Sequence, residues 1–112
     1  MVEPIMVLTT LGKAEQGRKL AAELVDLRLA ACVTCLPDLV SFYRWSGRVE
    51  EDSEILLMIK TTSERLESLR AHLLRVHPYE VPEFLVLNIR EGGESYLRWL
   101  AESTSPPEPG PC

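Results

Sequence analysis

LVSFYRW, SG and RVEEDSEILLMIK, residues 39–60 in unbroken order, decide the fold. Ser41, Tyr43 and Trp45 alternate with Val40, Phe42 and Arg44 at the two-residue period of a strand. Ser46-Gly47 is a two-residue turn signal. The returning arm, Arg48 to Lys60, is acidic from Glu50 to Glu54 and wholly apolar from Ile55 to Ile59. At about 3.3 Å per residue that arm runs about 43 Å, whereas a compact domain of this length has a radius of gyration of about 13 Å. The hairpin is therefore expected to project beyond its own domain, with Tyr43 and Trp45 near its tip. Lone hairpins are marginal in water, and exposed edges and aromatics favour association. Packing on neighbouring copies under closed cyclic symmetry resolves this.

On the N-terminal side, Ile5 to Thr10 is a β-branched apolar run, expected as a buried strand. Residues 13–29 switch to helical spacing, with Gly17, Leu20, Ala21, Leu24 and Leu27 on one stripe. Ala31 to Leu36 returns to strand character until Pro37-Asp38 interrupts it. On the C-terminal side, Thr61 with Glu64 three residues on reads as a capping box. The helix it opens carries Leu66, Leu69, Leu73 and Val76 on one stripe and ends at His77-Pro78. Pro82 to Ile89 is a further strand, Gly92-Gly93 a break, and Glu94 to Glu102 a short helix expected to bury Tyr96, Leu97, Trp99 and Leu100. The order β-α-β-β-α-β plus a terminal helix predicts an α+β, ferredoxin-like fold with a four-stranded antiparallel sheet. Residues 1–102 form the domain, and residues 103–112, with four of the eight prolines, are expected to be a disordered tail.

Seventeen acidic against 12 basic residues give a formal net charge of −5, which argues against nucleic acid or an anionic membrane as partner. No apolar run approaches the roughly 18 residues of a membrane span, and Glu3-Pro4 directly after Met1 offers no basic leader, so a cytoplasmic location is expected. Three cysteines, an odd count, suit a reducing compartment. Fourteen Glu and nine Arg beside a single Asn and a single Gln resemble the composition of a thermostable protein.

Two segments offer chemistry. Cys32-Val33-Thr34-Cys35 is a C-x-x-C, but it lies in a strand, where residues three apart face opposite sides; the bland reading is two small core residues. His77-Pro78-Tyr79-Glu80-Val81-Pro82-Glu83 holds an imidazole, a phenol and two carboxylates on a loop stiffened by two prolines, a fit to a metal or small-ligand site. The alternative is that Tyr79 covers a core, Glu80 and Glu83 pair with arginines and His77 only ends its helix. His72 reads as solvated surface. The acidic run at residues 50–54 could draw hard cations, or serve only as a charged edge.

Taken together, Ala30-Ala31-Cys32-Val33, Ser41-x-Tyr43-x-Trp45-x-Gly47, Glu54, Lys60-Thr61, His77-Pro78-Tyr79-Glu80-x-Pro82-Glu83 and Tyr96-Leu97-x-Trp99-Leu100 resemble the divalent-cation-tolerance (CutA) family from about residue 5 to residue 101. The resemblance implies a cytoplasmic homotrimer of PII-like architecture with long hairpins packed between subunits. It also implies a role in tolerance to copper and other divalent cations, and no established catalytic activity. His77, Glu80, Glu83 and Cys32 become candidate metal ligands. Tyr43, Trp45, Glu54, Lys60 and Tyr79 become candidates for a cleft near the subunit contacts. Some relatives carry cysteine in place of Thr9 and histidine in place of Val76, so two plausible copper ligands are absent here. Three readings follow: a copper- or cation-binding protein; a signalling or scaffold trimer holding a small anion between Lys60, Tyr79 and Trp45; and, last, an enzyme using Lys60, Glu83 and Tyr79 for acid–base work.

Overall fold

A computed structural model describes residues 2–106. Strands β1 (Pro4–Leu11), β2 (Cys32–Trp45), β3 (Arg48–Thr62) and β4 (Leu85–Asn88) form one antiparallel sheet in the order β2-β3-β1-β4. Helices α1 (Ala14–Asp26) and α2 (Leu66–Val76), the latter entered through a 3₁₀ turn at Ser63–Arg65, and the terminal α3 (Glu94–Thr104) complete the expected ferredoxin-like order.

The pleat explains the core. On β1, Ile5, Val7, Thr9 and Leu11 are buried while Met6, Leu8 and Thr10 are half-buried. Their register partners Ile59, Leu57 and Ile55 on β3 share the buried side, which meets Leu20 and Leu24 of α1 and Leu69 and Leu73 of α2 in one cluster. Gly17 lets α1 approach β3: an added Cβ would lie 2.7 Å from Ile55 Cγ2. Gly17→Ala is therefore expected to lower the melting temperature by a few degrees, because overpacking of about 1–3 kcal/mol exceeds the helix-propensity gain of about 1 kcal/mol.

The hairpin sets the length of the molecule: β3, 15 residues, runs about 50 Å at the strand rise. The radius of gyration is 15.3 Å and the longest dimension 52 Å. Its turn is tight, with Ser46 and Gly47 at φ 52° and 77°, both left-handed, which matches the twist of the flanking strands. Pro37-Asp38 does not interrupt β2 as expected. It forms a bulge between Leu36 and Leu39, with Asp38 at φ 62°, in a continuous edge strand, where proline costs no ladder bond.

Other boundaries moved for tertiary reasons. The capping box is not made: Thr61 belongs to β3, paired with Ile5, and its hydroxyl donates to the Leu29 carbonyl at 2.8 Å. The α1 pattern ends early because Arg28 turns left-handed at φ 60°. From there Arg28 donates from Nε to Ser105 O at 2.7 Å and from Nη2 to Glu102 O at 3.1 Å, placing a cation on the last carbonyls of α3. Helix α3 runs to Thr104, which is fully buried, two residues past the helix end expected at Glu102; residues 107–112 of the expected tail lie outside the described residues. β4 is shorter than the apolar run 82–89, and of α3 only Leu100 and Thr104 are buried: Tyr96 and Trp99 are exposed, contrary to the pattern. Among the described residues that surface stays uncovered, and Leu85, Val86 and Leu87 of the edge strand β4 are exposed as well.

Candidate functional site

The chain leaves α2 at His77, and the seven-residue loop 77–83 is fastened at two points, His77 and Tyr79. The His77 ring is buried; Nε2 donates to the Thr10 carbonyl on β1 at 2.9 Å, and Nδ1 accepts from the Tyr79 amide at 3.1 Å. Both nitrogens are thus used, in the Nε2–H tautomer. Desolvation holds the imidazole below its ordinary value of 6.5, against the opposing pull of Thr10 O and Glu54. The Tyr79 ring packs edge-on to His77 at 4.9 Å, and its hydroxyl donates to Glu54 Oε2 on β3 at 2.7 Å. Burial first, and the hydrogen bond to Glu54 second, push the Tyr79 phenol above its usual range.

Between this loop and the projecting half of the hairpin lies a cleft of about 710 Å³. Glu54, 9 % exposed, lies in its wall, and Glu83 and Asp52 border it. Glu83 is pushed up by desolvation and then by the neighbouring Glu54 charge. Tyr43 donates to Asp52 Oδ2, a bond that raises its phenol to about 12. Trp45 also lines the cleft, and Glu80, exposed, stands at its rim. Two tyrosine–carboxylate pairs, Tyr79–Glu54 and Tyr43–Asp52, therefore stand along one strand face.

The structure brings Tyr43, Trp45, Glu54, Tyr79, Glu80 and Glu83 together and leaves Lys60 and Cys32 out. Lys60 pairs with Cys32 six positions along β3 from Glu54, about 20 Å at the strand rise. There Nζ donates to Thr34 Oγ1 and lies 3.8 Å from Cys32 Sγ. Within one chain Cys32 therefore cannot share a metal with His77, Glu80 and Glu83, and His77 has no free lone pair to offer. Among the described residues no three His, Cys, Asp or Glu side chains converge as a metal cage. Cys35, on the opposite face from Cys32, packs against the core. His72 is not solvated as its position suggested: Nε2 lies 2.8 Å from Glu23 Oε1, joining α2 to α1, and Nδ1 meets Arg75 Nη2 at 3.1 Å.

A family model described as CutA1 divalent ion tolerance protein matches residues 5–103. The chain belongs to the CutA1 divalent ion tolerance family. A divalent-cation tolerance protein CutA of Thermus thermophilus is 48 % identical over 99 residues, which are 88 % of this chain and 96 % of that one. A chloroplastic CutA of Arabidopsis thaliana is 46 % identical over 92 % of this chain, which spans only 57 % of the plant protein. Among solved structures, the Thermus thermophilus CutA1 superposes with a TM-score of 0.88 at 46 % identity, over 91 % of this chain and 99 % of that one. The CutA1 of Pyrococcus horikoshii superposes with a TM-score of 0.86 at 35 % identity, over 90 % and 98 %. These names describe tolerance, not a reaction.

Within the CutA frame, three contributors to the site escaped the sequence reading. Thr10 acts through its backbone carbonyl, which no side-chain pattern reveals. Gly12 stands where a Cβ would lie 3.2 Å from the Tyr79 hydroxyl, so its smallness makes room for the Tyr79–Glu54 bond. Asp52 was legible only as one of the acidic run at residues 50–54, and the hydrogen bond from Tyr43 is what singles it out. Thr9, fully buried beneath the site, has no partner for its hydroxyl among the described residues. Thr9→Val keeps the shape and removes that polar group, and is expected to stabilise by about 1 kcal/mol, read as a higher denaturant midpoint at unchanged m.

Proposed function

We propose that this CutA chain serves as a cytoplasmic homotrimer in tolerance to divalent cations, copper among them, with no catalytic step. In this reading the cleft carboxylates Glu54, Glu83, Asp52 and Glu80 attract the cation, while His77 fixes the loop rather than ligating. The observation that carries it is Glu54: a carboxylate nine-tenths buried, facing the raised Glu83, with no lysine or arginine in ion-pair range among the described residues. Buried carboxylates call for a counter-charge. Carboxylates alone hold copper weakly, since imidazole and thiolate are what favour it. The projecting apolar hairpin and the uncovered Leu85, Leu87, Tyr96 and Trp99 support the trimer. Within one chain Lys60 stands far from Tyr79, so an anion held by both would need groups from two subunits.

Light scattering should give about three times the monomer mass of 12.6 kDa. Calorimetry with Cu²⁺ should show binding that weakens at least tenfold in Glu83→Gln and stays near the parent level in His77→Asn. A monomer, or equal binding by Glu83→Gln, refutes the respective half of this reading.

A further inference from the structure

The walls of the cleft are as informative as its charges. Tyr43, Trp45 and Tyr79 line it, so three aromatic rings and several carboxylates share one opening of about 710 Å³. A bare Mg²⁺ or Ca²⁺ needs six or more oxygens closing on one point at 2.0–2.6 Å. Here no three candidate ligands converge among the described residues. The acids are spread instead: Asp52 and Glu54 stand two apart on one strand face, about 6.6 Å by the strand rise, each with one oxygen held by a tyrosine hydroxyl. Glu54 Oε1 has no hydrogen-bond partner among the described residues, although the side chain is nine-tenths buried and borders the cleft. Arg44, which also lines the cleft, reaches the Gly47 carbonyl at 3.4 Å and pairs with none of these acids.

Spaced carboxylates between aromatic faces suit an extended organic cation. Ammonium groups meet the acids, and the methylenes between them lie against the rings, where cation–π attraction adds to apolar contact. We infer that the cleft between the projecting hairpin and the loop at residues 77–83 binds a linear di- or polyamine in preference to a bare metal ion. The inference rests on the cleft being a cation site and names the class its aromatic walls select.

The test is calorimetry of the full chain with spermidine, MgCl₂ and CuCl₂ in parallel at matched ionic strength, with the mass of every variant checked by light scattering. Spermidine is expected to bind at least tenfold tighter than Mg²⁺. Trp45→Leu, which keeps apolar bulk but loses the indole, should weaken spermidine several-fold and leave Mg²⁺ unchanged. Glu83→Gln should weaken spermidine about tenfold. Should Trp45→Leu misfold, Tyr43→Leu, on the same strand face, tests the same wall. Spermidine binding no tighter than Mg²⁺, or no tighter than millimolar, overturns the inference; if Cu²⁺ binds in that same experiment, the cation reading stands without it. Equal spermidine binding by parent and both aromatic variants also overturns it, because the site would then be only a field of negative charge.

Discussion

Phe42→Asp combined with Val49→Asp is expected to hold the chain as a monomer of 12.6 kDa in light scattering, where the proposed trimer would run at about three times that mass. Phe42 and Val49, each 68 % exposed, stand with Val40 on the hairpin face opposite to Tyr43 and Trp45. They lie outside the core cluster and are mostly exposed, so a single chain loses little when they change. The proposed trimer would bury each of them. Removing a buried Phe ring costs about 3–5 kcal/mol, an unpaired carboxylate in its place costs more, and the cost recurs in every subunit. Far-UV circular dichroism should remain that of the folded parent. A double variant still running at the parent mass would show that the hairpin does not hold the copies together.

His77→Ala carries the second large effect, about 2–4 kcal/mol. It empties a buried site, strands the Thr10 carbonyl and releases the Tyr79 amide. His77→Asn keeps an acceptor for the Tyr79 amide but is too short to span to Thr10, and should lose about half as much. The pH dependence identifies the cause. The unfolded histidine titrates near 6.5 and the folded one below it. Between those values the unfolded chain binds a proton that the folded chain does not, so stability falls as pH drops below 6.5. Both variants should flatten that slope in denaturant midpoints taken from pH 7 to 5. Glu83 has the opposite sign and a lower window: its raised value keeps the proton on in the fold, so its contribution is full below 4.5 and is lost as pH rises through the folded value. A parent slope retained in His77→Asn would assign the acid sensitivity to another group.

The hairpin, the turn at Ser46-Gly47, both long helices and the order of the elements were legible in the chain alone, because each depends on neighbours within a few residues. The loop at residues 77–83 stood out for the same reason: its polar residues are adjacent and its prolines restrict it. What each side chain meets was not legible, because the partners lie far off in sequence. His77 is tied to Thr10 across 67 positions and Tyr79 to Glu54 across 25. Those two bonds turn a possible ligand into a buried fastener and set a carboxylate against the cleft. Thr61 had the identity of a cap, but pairing with Ile5 and a hydroxyl bond to Leu29, 32 positions away, drew it into β3 instead. Lys60 had the company of Tyr79 and Trp45 only in a list of motifs; its place six residues along β3 from Glu54 put it at the other end of the sheet. Periodicity reports which face of an element is apolar. Only the register of strands and the packing of the loop across β1 and β3 decide which of those residues share a site.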